Sequence, residues 1–296
     1  MPFKLGYDLS GTVVAVGSQV PSHIHPGVAV YSRVPDSCRG TVSEYCLSTA
    51  SSVAPKPLSL SHTQAASIPL VSLTALQAFD AAEAYLPGGL KGRTVYIPAA
   101  LSGTGSMAVQ LAKNVFGVGK VITTLSPFKL SKAESLLGPG MLDKVIDYTQ
   151  QDPKTVIPKG SIDFMFDTMG LGLSSFALMK RGGIILSIKT LPFGEDLKRK
   201  VPHMPRVLVW ILGLVGAFIQ FWARRYGVFF RPLAMRESAR DLVRLGKWID
   251  EGKIRPVVGR VAKLGNVDNV KQGCNEVYGR KGGTGKFVVE IGEANS

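Results

Sequence analysis

The chain has 296 residues, 45% apolar and 19% charged, which excludes a disordered tail or a small disulfide scaffold and suits one large or two ordinary folded domains. Lysine plus arginine number 35 against 21 for aspartate plus glutamate, a formal charge of +14. Between Lys198 and Arg260, 14 basic residues stand against 4 acidic ones, and the same stretch holds the most apolar run in the protein, Val207 to Ala223, broken only by Gln220.

The start, Met-Pro-Phe-Lys-Leu-Gly-Tyr-Asp, runs straight into a strand pattern without a charged and apolar leader. The expectation is therefore a cytoplasmic protein, with mitochondria as the alternative, and not a secreted one. Cys38, Cys46 and Cys274 lie too far apart for a metal-ligand or redox pair, and His23 and His25 flank Ile24 in a Pro-bounded turn with no further ligand nearby. No metal is expected.

Residues 1–64 read as short β segments punctuated by Gly and Pro: Gly11 to Val16, Val28 to Tyr31 and Thr41 to Leu47. From Ser61 to Tyr85 the period changes to that of a helix, with Ser61 as its cap and Gln64 three positions on. Five apolar runs then alternate with helix-compatible stretches: Thr94 to Ile97, Val121 to Leu125, Lys144 to Ile146, Ile162 to Phe166 and Ile184 to Ile188. Val- and Ile-rich strands without polar alternation are what a parallel sheet covered on both faces requires, so the fold class is α/β with a doubly wound Rossmann sheet. Residues 254–296 return to β character at Val257 to Val261 and Phe287 to Ile291, around a helix from Val267 to Tyr278. The two ends, 1–64 and 254–296, thus read as one β-rich domain around an inserted domain at 65–253, which carries an apolar helical insert near 205–230.

The strand Thr94 to Ile97 leads into Pro98-Ala99-Ala100-Leu101-Ser102-Gly103-Thr104-Gly105, and an apolar helix follows from Met107 to Asn114. A strand, a glycine turn and a helix make a phosphate cradle: backbone N–H groups approach a pyrophosphate, and the helix dipole adds positive charge. Gly103, Thr104 and Gly105 are the residues placed there. At the end of the second strand, where an acidic residue would hold the two ribose hydroxyls of NAD, the sequence reads Thr123-Thr124-Leu125-Ser126-Pro127-Phe128-Lys129. The hydroxyl of Ser126 and the ammonium of Lys129 suit a 2′-phosphate, and so NADPH; alternatively Ser126 simply caps the next helix.

The segments Leu5 to Val13 (Leu-Gly-Tyr-Asp-Leu-Ser-Gly-Thr-Val), Leu60 to Pro69, Leu73-Thr74-Ala75, Val145 to Tyr148 and Gly285 to Val289 stand in the order typical of medium-chain dehydrogenases/reductases. The chain resembles their zinc-free quinone oxidoreductase branch, which includes the reticulon-interacting mitochondrial oxidoreductases. The resemblance implies a partial GroES-like domain formed by the two ends, and an NADPH-dependent oxidoreductase that transfers hydride to a hydrophobic quinone or activated enone without zinc. It places Tyr148 near the adenosine half of the cofactor, and the Asp167-Thr168-Met169-Gly170 turn and Ser187 beside the nicotinamide. Zinc-dependent relatives carry Gly-His-Glu where this chain has Gly6-Tyr7-Asp8. The family's Gly-Ala-Ser-Gly-Gly-Val-Gly turn has become Ala99-Ala100-Leu101-Ser102-Gly103-Thr104-Gly105. Relatives also carry a strand pair and polar active-site residues ahead of the Gly-x-Asp segment, so the expectation is either a shortened gene model or a reduced cleft. The catalytic acid is left unassigned; Tyr7 and Tyr31 are weak candidates that also read as packing tyrosines. The competing class is a catalytically inactive cofactor-binding or membrane-associated protein.

The run Val207 to Ala223 falls just short of the roughly 20 residues that cross a bilayer. Because it interrupts a single domain, it reads first as a buried or dimer-facing helix or pocket wall, next as a membrane-surface contact, and least as a span. A homodimer and a weak membrane contact are thus expected as alternatives. Arg236, Arg240 and Arg244 recur every four residues on the following helix, Glu237 to Glu251, as a solvated ridge. No nucleic-acid motif accompanies the charge, and no nucleic-acid partner is expected.

Overall fold

The computed structural model describes residues 4–190, 204–279 and 283–292. In chain order it forms strands β1 (Asp8–Thr12), β2 (Ala29–Arg33) and β3 (Val53–Pro55), helices α1 (His62–Ala66) and α2 (Pro69–Tyr85), strand β4 (Thr94–Pro98) and helix α3 (Gly103–Asn114). Then come β5 (Lys120–Leu125), α4 (Pro127–Leu137), β6 (Lys144–Asp147), α5 (Pro153–Val156), β7 (Ile162–Asp167) and β8 (Met179–Ser187). The chain closes with α6 (Arg206–Arg225), β9 (Phe229–Pro232), α7 (Ala239–Asp250), β10 (Val258–Lys263), α8 (Val267–Tyr278) and β11 (Lys286–Glu290).

Two compact units result. One comprises Met1–Leu76, Ser102–Met107 and Met235–Ser296; the other comprises Gln77–Leu101 and Ala108–Ala234. In the first, β1, β2 and β3 form an antiparallel sheet in that order, and β10 pairs with β11 in parallel. Helix α7 packs against β3, and the hydroxyl of the fully buried Tyr31 donates to the carbonyl of Leu242 on that helix at 2.6 Å. Ser61 and Gln64 form the expected reciprocal cap: Ser61 Oγ accepts from the Gln64 amide, and Gln64 Oε1 accepts from the Ser61 amide.

Two local expectations are corrected. Thr41 to Leu47 is not a strand. Ser43 Oγ donates to the carbonyls of Gly40 and Tyr45, a local turn that competes with sheet pairing, and Tyr45 and Leu47 stay exposed. The single helix from Ser61 to Tyr85 is two helices, because Pro69 lacks an N–H and disfavours helical geometry at the residue before it.

The second unit is a six-stranded parallel sheet in the order β6-β5-β4-β7-β8-β9. Counted from β4, this is the 3-2-1-4-5-6 order of a doubly wound nucleotide-binding fold, and the expected fold class holds. The five strands read from the sequence are all present; β9, four residues ending in Pro232, is the sixth. Phe79 meets Phe164 edge-on at 5.2 Å in the core beneath β4 and β7.

The apolar run forms α6, between β8 and β9. Its inner face is narrow: Gly216 and Ala223 are buried, Ile219 packs on the cluster containing Phe230, and Gln220 Nε2 donates to the Phe230 carbonyl. The remaining surface is exposed, with only 11% of its most apolar window buried, so the reading of α6 as a buried helix is corrected. The basic residues Lys198, Arg199 and Lys200 lie outside the described residues.

At the opposite end of the sheet from the strand carboxyl termini, Asp163 is nearly fully buried. It accepts from Lys180 Nζ at 2.8 Å, Arg93 Nη1 at 3.0 Å and the Thr94 amide at 2.9 Å. Burial alone would raise its pKa, but the Lys180, Thr94 and Arg93 hydrogen bonds outweigh that and hold it below the usual carboxylate range. A depressed carboxylate stabilises the fold above its unfolded pKa and loses that contribution as pH falls through the folded value. Asp163→Asn is therefore expected to cost about 2 kcal/mol at neutral pH, with the difference from wild type shrinking in acid; urea unfolding at pH 7 and at low pH measures both.

Candidate functional site

In the parallel-sheet unit the strand order reverses between β4 and β7, and at such a switch point ligands bind beyond the strand carboxyl ends. The two ends are tied there: Thr168 Oγ1, buried, donates to the Pro98 carbonyl at 2.8 Å. The turn after β7 is organised by Asp167, which is fully buried. One carboxylate oxygen accepts from the amides of Met169, Gly170 and Leu171; the other accepts from the Gly172 amide and from Ser187 Oγ at 2.8 Å. Gly172 leaves the room this needs, since a Cβ there would stand 2.9 Å from Asp167 Oδ2. Ser187 also accepts from the Lys189 and Thr190 amides, so its hydroxyl is committed to holding the turn.

The exit from β4 carries strain. Ala99, where the family turn begins with glycine, adopts a left-handed φ of 57°. Its amide donates to Thr124 Oγ1 and the Ala100 amide to Thr123 Oγ1, each at 3.1 Å, while Thr123 Oγ1 donates to the Ile97 carbonyl at 2.6 Å. The two threonines of β5, in the place where the ribose carboxylate of NAD-type strands was missing, clamp the turn instead.

In the β-rich unit, the glycine turn is braced from below. Ser102 bridges to Gly285, and Ser102 Oγ accepts from the Gly105 amide at 3.0 Å, capping α3. The amides of Gly103 and Thr104 open the helix, where the helix itself offers them no acceptor. A Cβ on Gly103 would lie 3.1 Å from Lys286 Cδ and 3.2 Å from Val71 Cγ1, so the backbone approaches closely because this residue has no side chain. Lys286 Nζ in turn pairs with Asp8 at 3.1 Å, and Asp8 accepts from the Leu70 amide in the first turn of α2 at 2.9 Å.

Ser126 precedes α4 in extended geometry, and its side chain makes no cap hydrogen bond, which leaves the simple capping alternative without a contact. Lys129 follows one turn later, and burial lowers its pKa from the ordinary lysine value. Tyr148 is exposed in the turn after β6, where Thr149 bonds back to Asp147. Tyr31, with its hydroxyl committed to Leu242, has its pKa pushed upward by burial and by the charge of Asp250; Tyr7 lies under the Arg33 guanidinium at 4.9 Å. Among the described residues no three His, Cys, Asp or Glu side chains converge. The sequence had pointed to the turn at Asp167 but not to Asp167 as its hub. An Asp followed by Gly three positions on is the signal that could have shown it.

In the β-rich unit, a glycine whose missing side chain lets backbone approach and two helix-opening amides suit a phosphate; in the parallel-sheet unit, an uncapped serine hydroxyl and a lysine three positions on suit another. A comparison with known proteins gives the same direction. The chain is 30% identical over 294 residues to the mitochondrial NAD(P)H oxidoreductase RTN4IP1 of Mus musculus, spanning 98% of this chain and 71% of that protein. The chain belongs to the medium-chain dehydrogenase/reductase family. A family model described as zinc-binding dehydrogenase matches residues 142–270. The chain is 31% identical over 194 residues to the chloroplastic NADPH-dependent alkenal/one oxidoreductase of Arabidopsis thaliana, over 64% of this chain and 47% of that protein. A solved quinone oxidoreductase of Coxiella burnetii matches with a TM-score of 0.75 at 26% identity, over 99% of this chain and 80% of that chain. The fold of this medium-chain reductase thus joins Rossmann and GroES-like parts.

Ala99 offers a direct test of how this family member departs from the glycine-first turn. Left-handed strain on a non-glycine residue costs about 1–2 kcal/mol, whereas glycine loses about 0.4–1 kcal/mol through its freer unfolded chain. Ala99→Gly is expected to stabilise the protein by about 0.5 kcal/mol, and Ala99→Val to destabilise it; denaturant midpoints at equal slope measure both.

Proposed function

We propose that this chain is an NADPH-dependent, zinc-independent reductase acting on a hydrophobic quinone or an activated enone, in a biosynthetic setting and in the cytoplasm or mitochondria. The observation that carries the reading is the end of β5: no acid stands at the ribose position, Ser126 is uncapped, and Lys129 follows within one helical turn. The names of two relatives, an NAD(P)H oxidoreductase and an NADPH-dependent alkenal/one oxidoreductase, support the same chemistry.

In this reading Gly103, Thr104 and Gly105 receive the pyrophosphate, with the Gly103 and Thr104 amides donating and Ser102 holding the Gly105 amide in place. Ser126 and Lys129 receive the 2′-phosphate, and Tyr148 borders the adenosine. The cofactor domain is placed within residues 65–253, around the six-stranded parallel sheet. Thr168 and Ser187 border the nicotinamide side by fixing the Asp167 turn rather than through free hydroxyls. A bound reduced nicotinamide supplies a hydride for an electrophilic carbon. Tyr31 is not the proton donor, because its hydroxyl is committed and hard to ionise; the proton comes from water or from a residue still unassigned. A second reading, a cofactor-binding protein without turnover, draws on Ala99 and Ser102 replacing glycines of the family turn.

Fluorescence titration is expected to show NADPH binding tighter than NADH. Ser126→Ala and Lys129→Ala should each weaken NADPH about tenfold and leave NADH nearly unchanged, the difference expected for losing a charge-assisted contact to one phosphate. Since Lys129 has a lowered pKa, NADPH affinity should fall as pH rises through that value, and Lys129→Arg should flatten the fall. Oxidation of NADPH with simple quinones and enones then tests the activity. Tight binding without turnover across the panel establishes the second reading, and absence of binding defeats both.

A further inference from the structure

At about 3.6 residues per turn, the side chains of α6 divide into two faces. The stripe through Val209, Leu212, Gly216, Ile219 and Ala223 turns toward β9 and the core, and its small residues let the helix sit close to the sheet. The other face, which in an ordinary crossover helix of a parallel sheet is polar, carries Val207, Trp210, Leu214, Phe218, Phe221 and Trp222, each between 50% and 70% exposed. No charged residue lies between Arg206 and Arg224, and no acidic residue between Arg206 and Arg236. An unbroken apolar face of this extent exceeds what a monomer ordinarily leaves in water.

We propose that this face of α6 docks on an anionic membrane surface, with the helix lying in the plane of the headgroups. Charge selects this occupant. Arginines stand at both ends of the helix and no charge interrupts the apolar face between them, so the greasy side can sink while Arg206, Arg224 and Arg225 reach anionic headgroups. Trp210 and Trp222 lie twelve positions apart, about 18 Å along the axis, each near one basic end. Arg225 rests over the Phe221 ring at 5.8 Å, which keeps its charge beside the apolar face. Spanning the bilayer is excluded by the sheet. The helix joins β8 to β9, neighbouring parallel strands with Ile184 opposite Phe229 and Ser187 opposite Pro232, so both its ends belong to one sheet on one side. The surface brings the enzyme to membrane-dissolved hydrophobic molecules, but the docking stands whether or not the proposed reduction does.

Vesicle flotation of the full chain tests it, comparing phosphatidylcholine alone with phosphatidylcholine containing about 30% phosphatidylserine. Flotation with the anionic vesicles, reduced by added salt, is expected. Phe218→Glu and Trp222→Glu should each lower the bound fraction about tenfold while leaving the melting temperature near wild type, since both side chains already face solvent. Arg224→Glu combined with Arg225→Glu should abolish the preference for anionic vesicles. Leu58→Glu, an equally apolar exposed position outside α6, should float as wild type does. Failure to float with anionic vesicles overturns the proposal. A dimer that Phe218→Glu splits, without flotation, overturns it in favour of a second copy, and resistance to carbonate extraction overturns it in favour of a span.

Discussion

Asp8 is a carboxylate with two partners that lie far from it in sequence. It accepts from the Leu70 amide at the start of α2 and pairs with Lys286 at the start of β11, so β1, the first turn of α2 and the last strand meet at one charge. The stem of Lys286 then lies where Gly103 has no side chain, and Gly285 bridges to Ser102. The positive end of the α2 dipole and the Lys286 ammonium both attract the Asp8 carboxylate, and charge-assisted bonds of this kind are worth about twice a neutral one. The glycine turn therefore takes its position from an ion pair formed between residues nearly a full chain length apart. The motif Gly-Tyr-Asp near the start and the motif Gly-Lys-Phe near the end are halves of one contact.

Much of the fold was legible because period and punctuation are local. Five of the six parallel strands could be read from Val- and Ile-rich runs, and the Ser61–Gln64 cap from two residues three apart. What escaped depended on competition that pattern does not show. Thr41 to Leu47 has strand-like composition, but only its first two amides pair with a neighbour, Thr41 with the Gly6 carbonyl and Val42 with the Leu5 carbonyl, and Ser43 then bonds locally to nearby carbonyls. Strand β9 was hidden behind the longest apolar stretch in the chain and is too short to announce itself. The burial of α6 was misjudged for a plainer reason: an apolar helix in a globular chain is ordinarily inside, and only the sheet shows how narrow its inward stripe is.

For the site, the sequence located the glycine turn and the end of β5 but not how they are held. Thr123 and Thr124 were notable as the absence of an acid, yet their hydroxyls take the amides of Ala100 and Ala99. Ser187 was expected beside a cofactor and is spent on Asp167. Such roles are three-dimensional: a hydroxyl is equally able to cap, clamp or bind, and the neighbours across the sheet decide which.

The Asp167 turn has a kinetic side. Four amides, from Met169 to Gly172, share a single buried carboxylate as acceptor, although Met169 and Gly170 themselves lie at the surface. A single displacement of Asp167 would therefore release all four amides together with Ser187, and their protons are expected to exchange with solvent as a group rather than residue by residue.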